Sequence, residues 1–104
     1  ELIDTGTRRT IYLQGKQAIR VQYAHSLRDP AVKVAIHWYS VVESSWRTLI
    51  PAFGGDVEAR SNQVSTWFAV PAYGHFGNDF PIRVMVYGDG AADPRILYVE
   101  LDAR

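Results

Sequence analysis

Val32-Lys33-Val34-Ala35-Ile36-His37-Trp38-Tyr39 decides the fold class. Val32, Val34, Ile36 and Trp38 fall on one side of an extended chain, and Lys33, Ala35, His37 and Tyr39 fall on the other. Side chains alternate across a strand with period two, so this octapeptide reads as a strand with one face to a core and one toward water. The same alternation recurs on both sides of it. Ile19, Val21 and Tyr23 alternate with Arg20 and Gln22, and Thr66, Phe68 and Val70 alternate with Ser65, Trp67 and Ala69. Ile82, Val84 and Val86 alternate with Arg83, Met85 and Tyr87, while Leu97, Val99 and Leu101 alternate with Tyr98, Glu100 and Asp102. No window of a dozen residues sustains the helical spacing of apolar positions before meeting Gly, Pro or a β-branched run.

Shorter stretches complete the set. Thr10 to Leu13 reads as a brief first strand ending at Gly15, and Trp46 to Ile50 as another stopped by Pro51. Asp56 to Arg60 reads either as a strand or as the edge of a loop. Turn chemistry separates the runs at Arg28-Asp29-Pro30, Phe53-Gly54-Gly55-Asp56, Ser61-Asn62-Gln63, Gly77-Asn78-Asp79 and Gly88-Asp89-Gly90. Seven or eight strands at this spacing predict an all-β fold, an immunoglobulin-like antiparallel sandwich, with a small closed barrel as the alternative. Ile19, Val21, Val34, Ile36, Phe68, Val70, Val84, Val86, Leu97 and Val99 are the expected core. Ala72 to Phe80 and Ala91 to Pro94 are the expected irregular stretches.

Composition bounds the function. The 104 residues suit a single domain, residues 1–104, whether whole or excised from a longer chain. Eleven basic residues balance eleven acidic ones, which argues against nucleic acid or an anionic membrane as the main partner. Charged residues are spread throughout, so no stretch reads as membrane-spanning. The absence of Cys excludes a disulfide framework, a thiolate metal site and a thiol nucleophile, and leaves the compartment unspecified.

Catalytic signatures are missing. His25, His37 and His75 lie too far apart for a local metal motif, and the expectation is a solvent face for His37 and loops for the other two. No G-x-S-x-G elbow is present. Asp29, Asp56, Asp79, Asp89 and Asp93 adjoin Gly, Pro or Asn, where Asp serves turns. Gly88-Asp89-Gly90-Ala91-Ala92-Asp93 has the oxygen donors of a calcium loop without its spacing, and a hairpin turn accounts for it. The expectation is a noncatalytic domain with no cofactor and no metal.

Aromatic residues, 12% of the chain, are the informative class. Tyr39, Trp67, Tyr87 and Tyr98 fall on the faces opposite the core positions, and Tyr73 and Phe76 lie in the irregular stretch. Rings standing on a sheet face suit sugar rings, whose C–H groups pack on the π-face, with Asn62, Gln63, Asn78 and Asp79 as polar partners. The same rings suit packing at sheet edges, and they are common anchors in protein interfaces. Arg outnumbers Lys nine to two, a bias toward planar bidentate contacts.

Over about residues 18 to 88 the order of strands and aromatics resembles the starch- and glycogen-binding carbohydrate modules, which are immunoglobulin-like sandwiches. The segments that carry it are Ile19-Arg20-Val21-Gln22-Tyr23, the octapeptide above, Ser45-Trp46-Arg47-Thr48, Thr66-Trp67-Phe68-Ala69-Val70-Pro71 and Phe80-Pro81-Ile82-Arg83-Val84-Met85-Val86-Tyr87-Gly88. The resemblance implies a glucose-stacking role for Trp46, with Tyr39 and Tyr87 at the aromatic strand ends. Ala91-Ala92-Asp93-Pro94-Arg95 departs from that group, which carries an Asn-rich, Tyr-containing segment there. The expected function is a noncatalytic carbohydrate-binding module using Trp46, Tyr39, Trp67, Tyr73 and Tyr87 on a polysaccharide. The alternative is a structural or protein-interaction sandwich whose partner is another protein or a second copy.

Overall fold

A computed structural model describes residues 2–25, 33–54, 62–71, 79–87 and 96–104. These form eight strands: β1 (Leu2–Tyr12), β2 (Ala18–His25), β3 (Lys33–Ser40), β4 (Ser45–Gly54), β5 (Gln63–Val64), β6 (Phe68–Ala69), β7 (Asp79–Tyr87) and β8 (Ile96–Ala103). They build two antiparallel sheets. The first has the order β1-β7-β3-β4, and in the second β2 is flanked by β8 on one side and by β5 and β6 on the other. The sheets do not close into a barrel. Their inner faces share one core in which Ile19, Val21 and Tyr23 of β2 meet Val34, Ile36, Ile50, Ile82 and Val86 of the first sheet.

Residues 33–39 of the central octapeptide keep their alternation about the core, although Ala35 on the other face is buried too, and Val32 lies outside the described residues. Val34 and Ile36 are fully buried, and β3 pairs with β7 on one side and β4 on the other. Of the expected core, Ile19, Val21, Val34, Ile36, Val70, Val84 and Val86 are buried, and Phe68 and Val99 pack against the cluster half-buried. The Leu97 side chain lies outside the described residues. Tyr23 joins the core completely and donates its hydroxyl to the Phe53 carbonyl at 3.3 Å. Its ring also meets Phe53 edge-on at 5.3 Å. Gly54 makes room for this contact: at φ +97° it takes the left-handed region, and a Cβ there would overlap the Tyr23 hydroxyl and lie 2.8 Å from its ring carbon Cζ.

Several boundaries differ from the sequence reading. The first strand runs from Leu2 rather than Thr10. Its pairing with β7 shifts between Asp4 and Arg8, where the chain bulges at Thr5-Gly6-Thr7, and the bulge destroys the simple alternation. Pro51 does not stop β4, which continues to Gly54. It sits on the outer edge of the sheet, within a register shift between the Val34–Phe53 and Ile36–Ile50 pairs, where its missing N–H breaks no regular ladder. The expected Thr66–Val70 strand is reduced to Phe68–Ala69. Before it, Ser65 turns inward and is buried, whereas Thr66 is exposed. Ser65 supplies hydrogen bonds that a regular ladder would otherwise make: its Oγ accepts from the Val21 N–H at 3.0 Å and donates to the Thr66 carbonyl at 2.8 Å. His25 ends β2 instead of lying in a loop. The possible strand at Asp56–Arg60, His75 and the Gly88–Asp93 loop all lie outside the described residues.

Candidate binding face

The outward side of the first sheet gathers the aromatic and charged residues of four strands. Pairing aligns them in rows. Arg8 of β1 lies opposite Arg83 of β7, Arg83 opposite His37 of β3, and His37 opposite Thr48 of β4. The next row sets Tyr39 opposite Trp46. On the other side come Asp4, Met85 and Ala35, then Leu2, Tyr87 and Lys33. Met85 and Ala35 are buried although they point away from the core. Their row lies between the Arg8–Arg83–His37 row and the Leu2–Tyr87–Lys33 row.

The β1 bulge arms this face. The Asp4 carboxylate accepts from the Gly6 N–H at 2.8 Å, Gly6 adopts φ +81°, and the Thr5 hydroxyl donates to the Val84 carbonyl at 2.8 Å. The two extra residues return Arg8 to the side that Asp4 occupies. There its guanidinium grips the carboxylate with two nitrogens, at 2.8 and 2.7 Å. These hydrogen bonds, helped by the Gly6 amide, hold the Asp4 carboxyl well below the usual carboxylate range.

Trp46 reaches back across the sheet from the opposite edge. Its ring centroid lies 4.6 Å from the Arg83 guanidinium carbon and 5.2 Å from that of Arg8. Both are within cation–π range. Tyr39 meets the same ring at 5.3 Å with the planes inclined by 63°. Arg83 is fixed from below, its Nε and one terminal nitrogen lying 3.3 and 3.2 Å from His37 Nδ1 and its other terminal nitrogen 3.6 Å from Asp4. A guanidinium only donates, so Nδ1 is the acceptor and the imidazole is neutral with its proton on Nε2. Burial, and then the adjacent Arg83 charge, lower the His37 pKa below its ordinary value. The result is a half-exposed indole, a phenol and two aligned guanidiniums tied from one sheet edge to the other.

Trp67 stands on the outward side of the second sheet. The guanidiniums of Arg104 and Arg20 lie 4.2 and 4.6 Å from its ring centroid. Arg20 also pairs with Asp102 at 2.9 Å. The Arg20 and Gln22 hydrogen bonds lower the Asp102 pKa. Tyr98 reaches over the buried Ala24 to hydrogen-bond Asn62, which in turn donates to Gln22 at 3.0 Å.

Of the residues singled out in the sequence, Tyr39, Trp46 and Tyr87 therefore share one face. Trp67 is on the opposite face, and Tyr73 lies outside the described residues. Tyr87 is exposed, with the Lys33 ammonium 5.6 Å from its ring centroid, while Tyr39, Trp46 and Trp67 are half-buried. Arg8, Arg83, Asp4 and His37 were not foreseen as site residues. Arg83 and His37 were legible as outward-facing, but their alignment depends on strand pairing. Among the described residues, no group of three His, Asp or Glu side chains is placed to hold a metal ion. No helix among them is long and apolar enough to cross a membrane.

Comparison with family models, curated proteins and solved structures returned no match.

Proposed function

We propose that this chain is a noncatalytic protein-interaction domain that binds through the outward face of its first sheet, around Trp46, Tyr39, Arg8 and Arg83. The observation that supports this reading most is the stacking of two guanidiniums on the Trp46 indole, itself met edge-on by Tyr39. Trp, Tyr and Arg are the residue types that dominate binding energy in protein interfaces. Here they are held in place before any partner arrives, because Asp4 clamps Arg8 and His37 supports Arg83, so binding gives up little side-chain entropy. Arg8, Arg83 and Lys33 outnumber Asp4 on this face, which suits a partner surface carrying carboxylates beside an apolar patch.

A polysaccharide-binding module is the second reading, favoured by the placement of Tyr39, Trp46 and Tyr87 on one face. A flat platform for consecutive sugar rings calls for near-parallel aromatics, whereas Tyr39 and Trp46 are inclined by 63°. As to fold family, we read the sandwich as immunoglobulin-like on the strength of the β2–β5 and β3–β7 pairings. The first strand joins β7 and the last joins β2, an exchange relative to the usual layout.

The two functional readings separate by affinity electrophoresis through a panel of polysaccharides run beside protein capture. The protein reading expects no retardation in any gel and a captured protein that is lost with Trp46→Ala. Retardation abolished by Trp46→Ala, with no protein captured, would establish the sugar reading in its place.

A further inference from the structure

The geometry points to a small-molecule site in the groove between β1 and β8, separate from the outward face of the first sheet. Its ligand is a single-chain amphiphile with a carboxylate head, the anion of a fatty acid. The groove measures about 450 Å³, within the range of about 300–1,000 Å³ usual for small-molecule pockets. Its apolar wall is made by Ile11 of β1, Ile82 and Val84 of β7, and Val99 and Leu101 of β8.

The groove follows from the strand order. Among the described residues β1 pairs only with β7 and β8 only with β2, so the two strands do not close against each other. Val99 and Leu101 lie opposite Tyr23 and Val21 and share their inner side. Tyr23 and Val21 are fully buried, whereas Val99 and Leu101 are only half-buried, as is Ile11 across the groove. The core is thus closed over β2 and β3 and left open here. An apolar chain laid in the groove removes that surface from water.

Arg9 supplies the charge. It lies opposite the buried Ile82, and directly opposed residues of an antiparallel pair point the same way, so Arg9 stands on the inner side, two residues before Ile11. Among the described residues it is the only charged side chain lining the groove, and it is exposed there. Its neighbour Arg8 is on the outer side and engaged with Asp4. Arg9 has no carboxylate partner among the described residues. The bulge does not need it either. Thr5 and Thr7 line the same groove, and the Thr5 hydroxyl donates to the Val84 carbonyl at 2.8 Å and accepts from the Thr7 N–H at 3.2 Å.

An unpaired guanidinium beside an apolar groove selects a ligand that is apolar along its length and anionic at one end. The planar fork of Arg matches a carboxylate with two parallel hydrogen bonds. A phosphate dianion calls for a second cation, and among the described residues none lines the groove. An inward charge on an edge strand also discourages strand addition, but that role alone gives the groove no preference among head groups.

Calorimetric titration of the unmodified chain with decanoate, kept below its micelle threshold, is expected to show saturable one-to-one binding. Decanol, which has the same chain without the charge, and decyltrimethylammonium should bind at least about tenfold more weakly. Decyl phosphate should bind no more tightly than decanoate. Arg9→Gln, at an exposed position, should lower the decanoate affinity to that of decanol and leave the melting temperature unchanged. Trp46→Ala should leave decanoate binding unaltered, since that ring belongs to the outward face. In methyl NMR spectra decanoate should shift the signals of Ile82, Val99 and Leu101. No saturable binding, equal affinities for decanoate and decanol, binding indifferent to Arg9→Gln, or binding lost with Trp46→Ala would overturn the proposal.

Discussion

The Arg83 guanidinium lies 4.6 Å from the centre of the Trp46 ring, although the two residues belong to strands on opposite sides of β3. One interaction thus bridges β7 and β4, and the Arg8 contact extends it to β1. A partly exposed cation–π pair is worth about 0.5–1 kcal/mol. A double-mutant cycle with Arg83→Met and Trp46→Leu, followed by urea unfolding, should return a coupling of about that size. A coupling of zero would mean that the ring and the guanidinium are only neighbours.

His37 gives the face a pH dependence. Its pKa is lowered in the folded chain, first by burial and then by Arg83, whereas in the unfolded chain it titrates near the ordinary value of about 6.5. The unfolded state therefore binds more protons in the window just below that value, and stability must rise with pH through it. Asp4 is held by Arg8 and the Gly6 amide with its carboxyl far below that window, so it stays charged and contributes nothing to the slope. His37→Gln should lose less stability than the unmodified chain between pH 7.5 and pH 5. His25 and His75 are common to both proteins, so their contributions cancel. Equal losses would contradict the arrangement.

Gly54 and Tyr23 form a packing pair that a single methyl group disrupts. Gly54→Ala combines a left-handed backbone, costing about 1–3 kcal/mol in a side-chain-bearing residue, with overlap on the Tyr23 hydroxyl. The loss should shrink when Tyr23→Phe removes that oxygen. Additive effects of the two substitutions, measured by chemical denaturation, would show that the overlap is relieved some other way.

Ser65 is expected to matter more than its size suggests. Ser65→Ala leaves the Val21 N–H and the Thr66 carbonyl without their hydroxyl partner, a loss of about 1–3 kcal/mol for a buried pair. Ser65→Thr keeps the hydroxyl and should retain more of the stability. Thermal melts of the two variants give the comparison.

What the sequence disclosed follows its periodicity. Val34, Ile36, Val84 and Val86 were legible because central strands bury one whole face. The part of β1 before Thr10 was not legible, because an edge strand with a bulge has no uniform inner side to impose a period. Pro51 misled for a related reason: it forbids a central strand and is tolerated on an edge, and edge status is a property of the whole sheet. Trp46 and Tyr39 could be chosen by residue type alone. The arginines that complete their site could not, since Arg8 and Trp46 are 38 positions apart and are brought together by three strand pairings.

The most direct test of the binding face is a photo-reactive amino acid at Thr48, an exposed position in the Arg8–Arg83–His37 row, compared with the same group at Gln22 on the other sheet. Cell extract irradiated with the Thr48 protein should yield a discrete protein adduct that disappears when Trp46→Ala is added. The Gln22 protein should yield none. Adducts confined to the Gln22 protein, or an adduct at Thr48 indifferent to Trp46, would contradict the assignment of this face.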